Sequence, residues 1–219
     1  MTGSALPRRE PRWPTALAVI TAMLLYFTLP NSLVLGRSAM RYIVPSLEAL
    51  LLVTLLLTSP GHEAVESGLR RKLSMGVTAL ITIANATALY FLVHQLLYGG
   101  GVAGRNLLYA AFDLWWTNVV AFALWYWELD GGGPVRRLLA PKSPRDFAFV
   151  QMTDPEVKAP GWHPRFADYF YVAFTNASAF SPTDTMPLTR RAKMLMLVQS
   201  TVSILTLLLV AARAVNILR

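Results

Sequence analysis

The stretch YFYVAFTNASAFSPTDTMPLTRRAK, residues 169–193, decides how this chain is interpreted. It holds too many polar residues for an ordinary transmembrane helix and too many apolar residues for an ordinary loop. It lies directly before the last long hydrophobic run of the sequence. The composition and hydropathy of the flanking sequence indicate which class of protein contains it.

The composition is typical of a membrane protein. Of the 219 residues, 54% are hydrophobic and 15% are charged, whereas soluble domains carry about 25% charged residues. The mean hydropathy is +0.44. A chain with so little charge has to cover most of its surface with something apolar. Several hydrophobic runs approach the roughly 20 residues that a helix needs to cross a bilayer.

The hydrophobic runs predict about five transmembrane helices. They are continuous rather than alternating, which favours helices over the strands of a barrel. The fold class predicted is therefore an all-α integral membrane protein with a half helix or re-entrant segment before the last span. The five spans are predicted at about residues 15–35, 42–58, 73–98, 106–126 and 194–218. The predicted regions are a basic tail (1–13), a four-helix transmembrane region (14–129), a proline-rich polar loop (130–165) and the pore-like end (166–219).

The basic residues predict an orientation. The tail, the loop before the third run and the long loop together carry 12 Lys and Arg residues, whereas the opposite loops carry three. Cytoplasmic loops carry the excess of basic residues, so the N-terminus and the long loop are predicted to be cytoplasmic. A multi-pass protein of the cell membrane, most simply a bacterial inner membrane, is expected. The basic clusters are interpreted as contacts for lipid headgroups rather than for nucleic acid. The sequence WYW, residues 125–127, is interpreted as an interfacial aromatic belt.

Five polar side chains fall inside the predicted spans: Glu48, Asn85, His94, Asp113 and Asn118. A charged group in the hydrocarbon costs roughly 2.5 kcal/mol or more, so it tends to face a partner or a wet cavity. Two interpretations stay open. These residues either hold helices together or line a path for ions or protons.

No catalytic motif is recognisable. The chain has no cysteine, which excludes disulfides and thiolate sites, and its three histidines lack metal-ligand spacing. HExxH, GxSxG and Walker motifs are absent. The prediction is a protein that is not an enzyme and has no cofactor and no metal site.

The segment before the last span predicts a re-entrant loop. Residues 166–180 would form a helix about 22 Å long, short of the roughly 30 Å hydrocarbon core. Its end carries Thr175, Asn176 and Ser178, and Ser181-Pro182 then breaks it. A half helix, an extended return and a full span follow one another. Such a backbone is tolerated at membrane depth only where it is buried in protein or lines water.

This segment resembles the pore region of potassium-channel-like proteins over about the last 50 residues. Asp184, Pro187 and Thr189 stand where the aspartate, proline and threonine follow the channel filter, and residues 180–183 replace its V-G-Y-G. It also resembles the C-terminal region of an uncharacterised family of bacterial inner-membrane proteins. The resemblance to channels implies a filter-like role for Thr175, Asn176, Ser178, Phe180, Ser181, Pro182, Thr183, Asp184, Thr185 and Pro187.

The filter sequence departs from the potassium pattern. No glycine occurs between Gly161 and Arg219, and Pro182 restricts its own backbone. A carbonyl filter selective for potassium is therefore not expected. A wider pore lined by hydroxyls, with Asp184 near its mouth favouring cations, remains compatible with the sequence. A channel of this type implies a homo-oligomer, most simply a tetramer.

Three functions stay open. The first is a pore-loop protein that conducts cations. The second is a non-conducting scaffold or assembly subunit bound to a larger membrane partner. The third is a small-solute transporter that uses Glu48, His94 and Asp113. The sequence also leaves open whether the segment 166–187 dips from one side or crosses, which would give six spans.

Overall fold

The structure is a computed structural model of the chain. It describes residues 11, 13–34, 39–57, 68–98, 104–140, 143–154, 156, 162–179 and 185–217. The helices are α1 (Trp13–Thr28), α2 (Met40–Leu57), α3 (Gly68–Tyr98), α4 (Gly104–Leu129), α5 (Pro134–Leu139), α6 (Val150–Thr153), α7 (Phe166–Ala177) and α8 (Arg190–Ile217). Two short strands, β1 (Phe147–Phe149) and β2 (Thr185–Pro187), and two 3₁₀ turns, Asn31–Leu33 and Asp130–Gly132, complete the described elements.

The long helices form a bundle around α4. Trp125 of α4 donates a hydrogen bond to Thr82 of α3 at 2.9 Å, and Ser74, one turn and a half into α3, bonds to Glu128 near the end of α4. These two helices are therefore antiparallel. We call the end of the bundle that holds the C-terminus of α4 the base, and the opposite end the top.

Helix α8 also runs antiparallel to α4. At the base, Arg191 donates to the backbone oxygen of Leu129 at 3.0 Å. At the top, Leu209 and Val210 of α8 line one small cavity with the C-terminal part of α3 and the N-terminal part of α4. The chain thus enters α8 at the base and leaves it at the top.

Three described helices are long and apolar enough to cross a membrane: Gly68–Tyr98, Arg105–Gly132 and Arg190–Ala211. Helix α1 is apolar but has 16 residues, and α2 has 18 residues with Pro45 inside it. The helical class predicted from the sequence is confirmed. Each predicted span overlaps one helix, and α1 ends at Thr28, before Pro30, where the sequence contained a helix breaker.

The region predicted as a proline-rich loop contains short ordered elements. Gly131, Gly132 and Gly133 have positive φ angles of 58°, 86° and 105°, which only glycine adopts readily. A Cβ at Gly132 would lie 2.6 Å from Cδ of Arg136. This turn directs the chain into α5, and β1 then pairs antiparallel with β2, Phe147 opposite Pro187 and Phe149 opposite Thr185.

Candidate functional site

Helix α7 begins at the base of the bundle. The backbone N–H of Arg165 donates to the Asp168 carboxylate at 2.7 Å, which satisfies a donor at the helix start and places negative charge at its positive end. The first residue, Phe166, packs edge-on against Trp127 of α4, with ring centroids 6.2 Å apart. The entry point of α7 is thereby fixed beside the last turn of α4.

Helix α7 ends halfway up the bundle. Its Phe174 packs against Trp115 and Trp116, with ring centroids 5.7 and 6.2 Å away. Trp115 Nε1 lies 3.4 Å from the backbone oxygen of Ala177, the last residue of the helix. Over its 12 residues, α7 therefore rises about 18 Å from the level of Trp127 to that of Trp115.

The chain after α7 is again at the base when it reaches β2. Thr185–Pro187 pairs with β1, and β1 follows Asp146, which contacts Arg191 at the start of α8. Between α7 and β2, Ala179 has a φ of 59°. This value lies in the left-handed region, which costs a non-glycine residue roughly 1–2 kcal/mol. The helix is thus terminated by a strained alanine, and the described chain enters α7 at the base and is at the base again at β2.

A buried glutamine of α8 holds the upper part of α7. Gln199, fully buried, donates through Nε2 to the Ala173 backbone oxygen at 2.8 Å. Its Oε1 accepts from Asn176 Nδ2 at 2.8 Å and from the Tyr126 hydroxyl at 2.6 Å. One side chain therefore links α4, α7 and α8 through three hydrogen bonds.

Three further polar contacts surround this glutamine. Asn118 donates to the backbone oxygen of Gln199 at 3.2 Å, and Ser200 donates to Asn176 Oδ1 at 3.0 Å. Ser203 donates to the Ala177 backbone oxygen at 2.6 Å. The backbone oxygen of Ala177, the last residue of α7, therefore accepts hydrogen bonds from the side chains of Ser203 and Trp115.

A second buried network holds the start of α7. The Asp130 carboxylate, fully buried, accepts from the backbone N–H groups of Asp146 and Phe147 at 2.6 and 3.2 Å. Its other oxygen accepts from the Tyr169 hydroxyl at 2.6 Å. Asp146 in turn accepts from Thr189 at 2.6 Å and pairs with Arg191 at 2.5 Å. Asp130 and Asp146 thus join the end of α4, β1, α7 and the start of α8.

The structure places the predicted filter residues in several environments. Asn176 faces α8, Thr175 donates back to the Tyr171 and Val172 carbonyls of its own helix, and Ser178 caps α7. Thr185 and Pro187 lie in the strand pair at the base. Residues 180–184, which hold Phe180, Ser181, Pro182, Thr183 and Asp184, lie outside the described residues.

The predicted intramembrane polar residues separate into three groups. Glu48, Asn85 and Asp113 line a single cavity between α1, α2, α3 and α4. Asn118 belongs to the Gln199 network. His94 lies near the top, with its ring centroid 4.8 Å from that of Tyr98, away from the other four. The common face of Asp113 and Thr117, expected from their spacing, is the one that lines the cavity.

Sequence reasoning missed Gln199, Tyr126, Asp130 and Asp146. The aromatic-belt interpretation is wrong for Tyr126, which is fully buried and bonded to Gln199. A glutamine inside an apolar run was the available signal for Gln199, since a polar group there needs a partner. No comparable signal marked Asp130, because its partners lie 16, 17 and 39 residues away.

Burial raises the pKa of the Tyr169 phenol well above its ordinary value. Arg137, with Cζ 4.9 Å from the ring centroid, acts in the opposite direction, and the Asp130 carboxylate raises the pKa further. Because the folded-state pKa is raised, the stabilisation is fully present below the unfolded-state pKa, about 10. It is lost as the pH rises above that value.

The Tyr169→Phe variant tests this titration. At pH 8 we expect it to unfold more easily than the parent by about 1 kcal/mol, since Asp130 loses a buried hydrogen-bond donor. The difference should shrink above pH 10, because only the parent carries the ionisable phenol. Thermal unfolding in detergent between pH 8 and 11 measures it. Tyr171→Phe, an exposed tyrosine on the same helix, is the control, and a constant difference across this range would contradict the assignment.

Comparisons of the chain with protein-family models, with curated proteins and with solved structures found no match.

Proposed function

We propose that the chain is an integral membrane protein with five spans, α1, α2, α3, α4 and α8, and a re-entrant α7. The side chains of α8 support a membrane location, because its buried stripe is partly polar and most of its exposed surface beyond the first turn is apolar. Gln199, Ser203 and Thr206 face inward, whereas Leu197, Val198, Ile204, Leu205, Leu207 and Leu208 are exposed. Lipid is the environment that favours this arrangement.

The base of the bundle is proposed to be cytoplasmic. Arg190, Arg191 and Lys193 begin α8 at this end, and Arg70, Arg71 and Lys72 begin α3 there. Among the described residues at the top, Arg41, Arg105 and Arg213 are basic. This asymmetry follows the excess of Lys and Arg on cytoplasmic loops, so α7 would dip into the membrane from the cytoplasmic side.

The function that the geometry supports best is that of a channel-like pore-loop protein. The observation that carries it is the path of α7, which enters at the base, stops at the level of Trp115 and is followed by β2 at the base. Irregular backbone at such a depth is expected only in a protein interior or beside water. In this proposal, the ion path is formed by the segment that follows α7 in the sequence.

The proposed conduction favours cations. The C-terminus of a helix carries about half a negative charge, and α7 points that end toward the middle of the bundle. Ser181, Thr183 and Asp184 follow it in the sequence. The pore would form on the axis of a homo-oligomer, most simply a tetramer, because one copy supplies one loop.

Cysteine scanning tests the path, since the chain has no native cysteine. Single cysteines at positions 178–184 and 186 are expected to react with a small charged thiol reagent added from the cytoplasmic side of vesicles, whereas one at the buried position 185 is not. Labelling from the opposite side alone would show that the segment crosses and that the re-entrant geometry is wrong.

Ion flux from the purified protein in liposomes tests conduction. Asp184→Ala is expected to lower cation flux about tenfold, because a carboxylate at a pore mouth concentrates cations. Asp154→Ala is the matched control, since among the described residues the Asp154 carboxylate accepts a local hydrogen bond, from the N–H of Glu156. Parent protein that is inserted and oligomeric but gives no flux for any cation would refute the proposal.

The second candidate is a non-conducting scaffold. One specific observation favours it: side chains of the same chain occupy the Ala177 oxygen and both ends of the Asn176 amide. The loop would then be buried for packing. A stoichiometric larger partner that co-purifies, together with absent flux, would favour the scaffold over the channel.

A further inference from the structure

A small cavity lies within the first four helices, away from α7. It is bordered by Tyr26 of α1, Glu48 of α2, Asn85 of α3, and Asp113 and Thr117 of α4. Each of the four helices thus contributes at least one oxygen-bearing side chain to one enclosed space. The remaining lining residues are apolar, so within the cavity these polar groups have only one another as hydrogen-bond partners.

Two hydrogen-bond acceptors in this cavity lack a donor. Glu48 Oε2 and Asn85 Oδ1 are buried and make no hydrogen bond to the described part of the chain. The two residues are 2% and 6% exposed. A buried acceptor without a donor costs about 1–3 kcal/mol, and both residues line the same cavity. Whatever fills that space therefore carries positive charge or donates hydrogen bonds.

The two carboxylates of the cavity have no ion-pair partner among the described residues. Thr28 donates a hydrogen bond to Asp113 Oδ2 at 2.7 Å. A neutral hydroxyl does not neutralise the negative charge of the carboxylate. Arg41, the neighbouring cation, bonds instead to the backbone oxygen of Leu29. A buried carboxylate and a half-buried one that line the same cavity are not both ionised without a compensating cation.

Size and ligand type select the cation. The space open to the centre of a water-sized sphere is about 10 Å³, room for about one water-sized particle. Carboxylate, amide and hydroxyl oxygens suit hard cations. Mg²⁺ usually keeps several waters and Ca²⁺ takes six to eight oxygens, which this space does not accommodate. The described residues contain no cluster of three or more histidines or carboxylates.

We propose that this cavity binds one dehydrated alkali cation of about the size of sodium, held by Glu48, Asp113 and Asn85. Asp113 is half-buried and its partner Thr28 is exposed, so the cation enters between α1 and α4 and reaches the fully buried Glu48. Protons compete for the same carboxylates, and binding weakens as the pH falls. The site lies outside α7, so it does not depend on the proposed pore loop.

The test is the thermal unfolding midpoint of the purified full chain in detergent. At pH 8, replacing choline chloride by sodium chloride at equal ionic strength is expected to raise the midpoint by about 5 °C, because a ligand of the folded state stabilises it. Glu48→Gln and Asp113→Asn should abolish this rise. Glu128→Gln should retain it, since Glu128 borders a different cavity.

Direct binding of radioactive sodium gives the second measurement. We expect Asn85→Leu, which changes no charge, to weaken sodium binding at least about tenfold, because it removes one ligand oxygen. This variant keeps the test valid if the carboxylate variants do not fold. Equal midpoints in sodium and choline, or a midpoint that responds to pH alone, would overturn the alkali site and leave a proton or water as the occupant.

Discussion

Replacing Asp130 with alanine is expected to lower the free energy of unfolding by about 3 kcal/mol or more. The variant removes the acceptor for two backbone N–H groups and for the Tyr169 hydroxyl, all at buried positions. A buried donor left without a partner costs about 1–3 kcal/mol. Chemical or thermal unfolding in detergent measures the loss.

Two variants control the Asp130 experiment. Asp130→Asn keeps one oxygen for the N–H groups of Asp146 and Phe147, and its amide can donate to Tyr169, so we expect a smaller loss. Asp154→Ala removes a carboxylate from the same region whose bond is local, at 2.9 Å to Glu156, and should change stability by less than about 1 kcal/mol. An Asp130→Ala protein as stable as the Asp154→Ala protein would contradict the role assigned to Asp130.

Replacing Gln199 with leucine is expected to release the upper part of α7. The side chain has a similar size, but it leaves the Tyr126 hydroxyl, the Asn176 amide and the Ala173 oxygen without their buried partner. A loss of about 3 kcal/mol corresponds to roughly a hundredfold increase in local opening. Hydrogen exchange of the α7 amides, followed by mass spectrometry, measures this opening.

Gln95→Leu is the matched control, since it makes the same chemical change. Gln95 donates one hydrogen bond, at 3.1 Å to the Ser32 backbone oxygen at the top of the bundle. The Gln95→Leu variant should leave the hydrogen-exchange protection of the α7 amides unchanged. If the α7 amides of the Gln199→Leu variant exchange at the parental rate, Gln199 does not hold the helix in place. The Gln199→Leu variant also bears on function, because both the channel and the scaffold require α7 to be held in place.

The helices were largely predictable from the sequence. The predicted half helix at residues 166–180 corresponds to Phe166–Ala177, and the last predicted span at 194–218 corresponds to Arg190–Ile217. Breakers such as Pro30 marked where helices end. Hydrophobic run length and helix breakers are local properties, and a helix satisfies its backbone within its own segment. A reader of the sequence alone therefore obtains the order and approximate bounds of the helices.

The convergence of Glu48, Asn85 and Asp113 was only partly predictable. Each was recognised as a polar residue in an apolar run, because such residues tend to face a partner. That the three line one cavity while His94 lies apart depends on the rotation and height of four helices. Helical spacing relates residues within one helix, as for Asp113 and Thr117, and carries no information about neighbouring helices.

The sequence by itself determined a helical chain with a half-length helix before its last long helix. Only the tertiary structure decided the end of the bundle from which α7 enters, the depth at which it stops and the partners that hold it there. Tyr169 reaches Asp130 across 39 residues, and Asn118 reaches Gln199 across 81. Contacts of such separation depend on how whole helices pack, whereas the hydrophobic pattern depends on residues a few positions apart.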